Sequence, residues 1–307
     1  MEKRASIDIG SNTILLLAAE VNESPFSYKE ILNETFVTSL GKDLDKTGVF
    51  CENSLKDSFE ALSDYKEKVE SIGITPSEVI VTATEASRVA KNSKEFFDKV
   101  KAELGFNVQI ISALGEAYYT SLGVIKGHKL DSKTAVIMDV GGASTELILI
   151  ERDPFEIIRT ISLPVGSVRG TDWIEDGSFE TRMKNLLDNE ELDNFKSDYL
   201  LCVAGSMTSL GGMIKGLKKF DSNEVNGSAI GFDKYLKFFE SIEGLKPEEL
   251  LEKFPFLGKR AKSILAGARL GLKMGKRLEI RSFEISTFGL RYGTLFSGKI
   301  ESKYGEL

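Results

Sequence analysis

Two stretches of this chain, 131 residues apart, carry one pattern. Ser6-Ile7-Asp8-Ile9 reads as a strand, Gly10-Ser11-Asn12-Thr13 as a tight turn, and Ile14-Leu15-Leu16-Leu17-Ala18-Ala19 as a second strand. Ala135 to Val140, then Gly141-Gly142-Ala143-Ser144-Thr145, then Glu146 to Ile150 repeat it. Each copy has an aspartate near the end of its first strand, a glycine two residues on, and a hydroxyl-rich turn. Self-similarity decides an architecture before any single element does. It makes this chain two copies of one unit, and a length of 307 residues matches a prior of about two domains.

The likeness continues past the hairpins. Tyr28 to Thr38 and Phe155 to Leu163 read as third strands. Leu55, Phe59, Leu62, Tyr65, Val69 and Ile72 recur at steps of three and four, one apolar face of a helix. Asn53 or Ser54 can cap that helix and Gly73 can end it. Val79 to Thr82 is a short strand, Ser93 to Leu104 a helix, Val108 to Ile111 a strand and Ala113 to Ile125 a helix. In the second half, Phe179 to Phe195 reads as a helix and Leu200 to Val203 as a strand. Phe232 to Ile242 and Arg260 to Met274 read as helices, Phe283 to Ile285 as a strand and Gly289 to Ile300 as a last helix. Extra helical material lies between about 209 and 275. Each half reads β-β-β-α-β-α-β-α. The expectation is an α/β chain of two mixed sheets flanked by helices, its hairpin turns facing an interdomain cleft. The boundary falls at 1–124 and 125–307, hinged about Gly123 to Ser132, with the last helix (about 289–307) able to pack on either domain.

Composition removes several classes. Lys and Arg number 40 against 47 Asp and Glu, a net charge of -7, which argues against duplex nucleic acid as a partner. A single histidine, His128, leaves no multi-histidine zinc site, and any Ser-His-Asp triad would depend on it. It sits in the polar run KGHKLDSK and reads as a solvated loop residue. Cys51 and Cys202 are far apart, as two inert thiols of a reducing compartment would be. The opening MEKRASIDIG has no apolar signal region, and no apolar run approaches the ~18 residues of a membrane span. A cytoplasmic protein with no membrane partner is expected.

The turns have a chemistry of their own. A Gly/Ser/Thr turn after a strand offers amides and hydroxyls in one direction, a nest suited to phosphate. An aspartate just before it can hold a divalent cation beside that phosphate. The candidates for phosphate are Gly10, Ser11, Asn12 and Thr13 in the first copy. In the second they are Gly141, Gly142, Ala143, Ser144 and Thr145. A third glycine/hydroxyl turn follows the strand ending at Val203, with Gly205 and Ser206 as its contacts.

These motifs resemble the actin-like phosphotransferase superfamily and, within it, the exopolyphosphatase/guanosine pentaphosphate phosphohydrolase (Ppx/GppA) family. The opening motif is similar to Asp8 to Thr13, the RLG-type segment to Ser39-Leu40-Gly41, and the ATSALR-type segment to Ala83 to Arg88. ISGxEEA resembles Ile111 to Ala117, followed by Leu122-Gly123-Val124; DxGGGSTE resembles Asp139 to Glu146. LPLGxVR is similar to Leu163 to Arg169, and GLREG to Gly289 to Gly293. The resemblance runs in order along nearly the whole chain and matches the short, two-domain form. It implies two actin-like (ribonuclease H-like) domains.

It also implies an activity: hydrolysis of a terminal phosphoanhydride of inorganic polyphosphate, guanosine pentaphosphate, or both. The general base maps onto Glu116, which would polarise a water in line with the terminal phosphorus. Asp139 and Glu146 resemble the metal-binding carboxylates, with Asp8 assisting, for Mg²⁺ or Mn²⁺. Arg88 resembles the family's phosphate-binding arginine; Arg169 and Arg291 are weaker candidates. Oligomeric state is left open, a homodimer included. Three positions depart from the pattern. Gly115 replaces the first Glu of the EE pair, Ala143 the third Gly of GGG, and Tyr292 the Glu of GLREG. The first two keep a second reading alive, a binding protein for polyphosphate or guanosine polyphosphates with little turnover. An actin-like small-molecule kinase is a third.

Overall fold

The structure, a computed structural model, describes residues 1–128 and 132–305. The first stretch contains β1 (Glu2–Ile9), β2 (Thr13–Glu23), β3 (Phe26–Val37), α1 (Leu44–Thr47), α2 (Glu52–Ser71) and β4 (Ile80–Ala83). It continues with α3 (Glu85–Val89), α4 (Ser93–Leu104), β5 (Val108–Ile110) and α5 (Ala113–Gly127). The second begins with β6 (Thr134–Val140), β7 (Thr145–Arg152), β8 (Phe155–Leu163), α6 (Ser167–Glu175), α7 (Phe179–Leu187) and β9 (Tyr199–Val203). Then come α8 (Ala204–Ile214), α9 (Ser222–Val225), β10 (Ser228–Gly231), α10 (Phe232–Ile242), α11 (Pro247–Lys253), α12 (Ile264–Arg277), β11 (Ser282–Ile285) and α13 (Leu290–Ser297). The chain divides into two compact units, Met1–Gly123 with the segment from Gly289 onward, and Val124–Phe288.

The repeat is visible strand by strand. The first unit's sheet has the order β3-β2-β1-β4-β5. The second unit's sheet reads β8-β7-β6-β9-β11 in the same sense, with β10 added at the far edge. In each, the hairpin strands are antiparallel and the strand after the first helix joins in parallel. Even the irregularity is shared. The register slips between Ala18 and Ala19 in β2, and between Leu149 and Ile150 in β7, again 131 residues apart. Both sheets are mixed and flanked by helices.

The first unit's core joins Ile7, Ile9, Ile14 and Leu16 of the hairpin to Leu62, Tyr65 and Val69 of α2 and Phe96, Phe97 and Val100 of α4. The apolar stripe of α2 therefore faces the sheet, and Tyr65 hands its hydroxyl to the Ile14 carbonyl at 2.9 Å. Gly73 stands just past the helix with φ +82°, the left-handed position a glycine adopts most readily. α13 packs on β1 and β2. The second unit builds its core from Met138, Val140 and Leu147 against Met207, Leu210, Leu270 and Met274.

Several elements differ from expectation. β10 is a four-residue edge strand with no alternation to announce it. The helix expected over 179–195 ends at Leu187, and a 3₁₀ segment covers Glu190–Phe195. α12 starts at Ile264, four residues later than Arg260. His128 is not a solvated loop residue: its side chain is 9% exposed, with Nε2 3.5 Å from Glu284 Oε2. The expected hinge about Gly123 to Ser132 falls partly on residues 129–131, outside the described residues; through Gly127 it is helix. Among the described residues no helix is long and apolar enough to cross a membrane.

Candidate active site

Both hairpin turns close in the same way. Gly10 N–H donates to the Thr13 carbonyl at 2.9 Å, and Gly141 N–H donates to the Ser144 carbonyl at 3.0 Å. In the first turn the Ser11 carbonyl accepts from Gly41 at 2.7 Å, and the Asn12 carbonyl accepts from Thr38 and Ser39. A trans peptide sets its C=O and N–H on opposite sides. The amides of Asn12 and Thr13 therefore point away from the 38–41 loop, as an anion nest requires.

The second turn is braced by a helix. The carbonyls of Gly141 and Gly142 accept from Ser167, Val168 and Arg169, which satisfies the free amides at the start of α6. Gly166 has to be glycine here, because a Cβ would lie 2.5 Å from the Gly141 oxygen. Arg169 donates to the Ala143 carbonyl at 2.5 Å, so this candidate for phosphate holds the turn itself. Ala143 is not among the residues of positive φ, so the methyl that replaces the third glycine meets no backbone strain. Ser144 is buried; Thr145 is buried and donates its hydroxyl to the Val165 carbonyl at 2.6 Å. That hydroxyl braces the strand end.

Asp139 and Glu146 are directly opposite partners of β6 and β7. Opposed residues of an antiparallel pair share a face with Cβ atoms about 5 Å apart, and like charges there repel. Glu146 is 7% exposed, and its Oε1 accepts from Ser162 Oγ at 2.9 Å. It is a pair: among the described residues no three His, Cys, Asp or Glu side chains are gathered to hold a metal ion. Two opposed carboxylates with only oxygen donors fit a hard divalent cation.

In the first unit, Glu116 stands in the first turn of α5. Its Oε2 accepts from Arg88 Nη1 at 3.1 Å, and the same nitrogen donates to the Ile111 carbonyl at 2.8 Å. Both side chains are about 15% exposed (15% and 16%). Arg88 therefore binds Glu116 in place, a role the resemblance did not supply. Asp8 ends β1, and its Oδ1 is sealed from solvent with no hydrogen-bond partner. Burial pushes its carboxyl up to about 7, the charge of Glu116 adds to the rise, and Arg291 opposes it. Arg291 is held from two sides: Ser6 Oγ donates to its carbonyl at 2.7 Å, and its Nη1 donates to the Glu34 carbonyl at 3.4 Å. The orphaned oxygen of Asp8 is likewise a hard donor of the kind Mg²⁺ takes.

The third turn is the first turn of a helix. α8 starts at Ala204, whose φ of +67° makes a sharp bend out of β9. Ser206 is buried against α12, and Gly205 lies under the Arg260 guanidinium, where a Cβ would fall 2.6 Å from Nη2. Nothing in the sequence spacing pointed to Arg260. Tyr292 is 1% exposed, its hydroxyl donating to Glu30 Oε1 and accepting from Asn33 Nδ2. It ties α13 to the edge strand β3.

Comparison with known proteins follows the same lines. Residues 18–300 match the model of the Ppx/GppA phosphatase family. The chain is 33% identical over 242 residues to the bifunctional 3-dehydroquinate synthase/phosphatase of Fusobacterium nucleatum. That match covers 73% of this chain but spans only about a third (36%) of that protein. It is 25% identical to exopolyphosphatase 2 of Mycobacterium tuberculosis, covering 91% of both chains. The crystal structure of the Aquifex aeolicus Ppx/GppA family member superposes with a TM-score of 0.78 at 30% identity, covering 96% of each chain.

Proposed function

The chain belongs to the Ppx/GppA phosphatase family, and on that premise we propose that it hydrolyses the terminal phosphoanhydride of inorganic polyphosphate or guanosine pentaphosphate. The observation that carries this is the placement of Glu116. It is a carboxylate at a helix start, mostly buried, fixed by Arg88 and coupled to the charge of Asp8. A general base must be held in one orientation to take a proton from the attacking water. Water delivers its oxygen to the terminal phosphorus as the bridging P–O bond breaks. The proton passes to Glu116 and the shortened chain leaves as the anion. The amides of Asn12, Thr13 and the 141–144 turn are the groups offered to phosphoryl oxygens.

Asp139 and Glu146 would hold Mg²⁺ or Mn²⁺, and Asp8 carries an oxygen donor of the same hard kind in the first unit. When bound, such an ion offsets the charge that gathers on the phosphoryl oxygens. Two departures kept a binder without turnover in view: Ala143 is not a positive-φ residue, and beside Gly115 the Ser112 amide donates to the Tyr304 carbonyl.

The test is phosphate release with Mg²⁺ from long-chain polyphosphate and from guanosine pentaphosphate, side by side. Glu116→Gln is expected to lower kcat by about 100- to 10,000-fold, the usual range for a lost general base, with substrate affinity little changed. Full activity in Glu116→Gln refutes the base; transfer of phosphate from ATP to a small acceptor in place of release would favour the kinase.

A further inference from the structure

Helix α5, which carries Glu116, starts at a serine cap. Ser112 Oγ accepts from the Gly115 amide at 3.1 Å, and the Ser112 carbonyl accepts from the Glu116 amide at 2.9 Å. In a Ser-x-x-Glu capping box, the Glu three residues on returns its carboxylate to the serine's own amide. That position is Gly115, which has no carboxylate to return. The Ser112 amide donates to the Tyr304 carbonyl instead, at 2.8 Å.

The segment reaching Gly305 lies antiparallel to Ile111 at this point, bridging it through Gly305. It leaves no room for a side chain at 115: a Cβ there would stand 2.8 Å from both the Cβ and the carbonyl oxygen of Tyr304. A glutamate arm and the tail exclude one another. The tail is anchored by aromatic contact. The Tyr304 ring stacks on Tyr118 at 4.5 Å and meets Tyr119 edge-on at 5.5 Å. The Tyr119 hydroxyl accepts from the Glu301 amide at 2.9 Å.

We propose that residues 301–305 are the missing arm of the capping box, and that Tyr304 is a positioning residue for Glu116. This rests on Glu116 being the base. An uncapped first turn frays, and a base displaced by about 1 Å can lose a hundredfold in rate. Glu116 follows Gly115 directly, so the tail's grip on Ser112 sets where its backbone stands.

A double-mutant cycle in the full-length chain tests this. Tyr304→Gly, which removes the ring that anchors the tail, is expected to lower kcat at least about tenfold with KM within about twofold, while Tyr304→Phe, which keeps the ring, stays at the wild-type rate. Gly115→Glu alone lowers kcat, because its Cβ displaces the tail. In the Tyr304→Gly background, where the tail has lost its ring anchor and leaves Ser112, the same substitution raises kcat, because its carboxylate takes over the freed amide. A tail that only adds stability would not reverse that sign. Hydrogen exchange at the Ser112 amide follows in parallel: slow in the wild type and Tyr304→Phe, fast in Tyr304→Gly, slow again in the double variant.

Additive effects of Gly115→Glu in the two backgrounds, or slow Ser112 exchange in Tyr304→Gly, overturn the proposal. If Tyr304→Gly does not fold, Gly115→Glu alone decides, since full activity in that variant contradicts the exclusion. An active Glu116→Gln removes the base and the positioning role with it. The Ser112 exchange pattern then still reports whether the tail caps the helix, so the two failures are told apart.

Discussion

Substituting alanine for Gly293 tests how the first unit brings α5 and α13 together. The two helices meet glycine to glycine. A Cβ on Gly293 would stand 1.7 Å from the Tyr119 carbonyl oxygen, and one on Gly123 2.4 Å from the Gly289 oxygen. Real Cβ atoms keep about 3 Å from such atoms, so Gly293→Ala forces the helices apart by more than 1 Å. A gap of about 0.5–1 Å already forfeits a quarter to a half of each dispersion contact across the interface. Overpacking of this kind costs about 1–3 kcal/mol, and this overlap, on rigid backbone, belongs at the upper end. The better helix propensity of alanine returns about 1 kcal/mol. The expected net loss is about 2 kcal/mol. Urea unfolding followed by far-ultraviolet circular dichroism measures it. The sole tryptophan, Trp173, lies in the other unit and is the wrong probe. Gly289→Ala is the control: nothing lies within 4 Å of its Cβ, and its φ of -140° is open to any residue, so it should change stability by less than about 0.5 kcal/mol. Equal stability of the two variants would refute the packing argument. Because α13 carries Arg291 and α5 carries Glu116, Gly293→Ala should also lower turnover, whereas Gly289→Ala should not.

Asp8 carries a raised pKa, so its penalty is absent below the unfolded value near 4 and grows as pH rises to about 7. Asp8→Asn should therefore be more stable than the wild type at pH 8 by up to about 4 kcal/mol, with the gap closing toward pH 4. Thermal melts of both proteins across that window check the sign, and a gap that widens on acidification would disprove it. Millimolar Mg²⁺ should raise the melting temperature of the wild type and not of Asp139→Asn, in which one of the two opposed carboxylates is gone. Equal shifts in the two proteins would remove the cation from this pair. Tyr292→Glu, which restores the usual motif residue, should destabilise by about 3 kcal/mol or more, because it buries a carboxylate among Tyr28, Phe296 and Glu30. Tyr292→Phe, which loses only the hydroxyl contacts, should cost about 1 kcal/mol.

What could be read from sequence was what repeats or alternates. The paired hairpins, the stripe of α2 and the opposition of Asp139 and Glu146 are local, and local spacing encodes them. What escaped are contacts between residues distant in the chain. Gly115 reads as a loss until Tyr304 lies on it, and Gly293 reads as one more motif glycine until it meets Tyr119. The segment from Gly289 onward adjoins the second unit in sequence but packs in the first, and no spacing rule encodes that. β10 is four residues long and finds its place only because β11 offers an edge. His128 sits in a polar run, yet the fold packs it against Glu284.

The duplication also divides the work, because its two copies are not equal. Opposite Asp139 stands Glu146; opposite Asp8, at the same register position, stands Leu15. The second unit thus confronts two carboxylates across one hairpin, an arrangement whose repulsion a divalent cation relieves. The first unit leaves one half-buried aspartate opposite an aliphatic neighbour, with Oδ1 sealed and unpartnered and its proton affinity raised into the neutral range. The groups that tune it, Glu116 and Arg291, arrive on α5 and α13, the two helices of the glycine crossing. The symmetric scaffold therefore supports an asymmetric division. On the proposed function, the second copy would hold the cation and the first would hold the base.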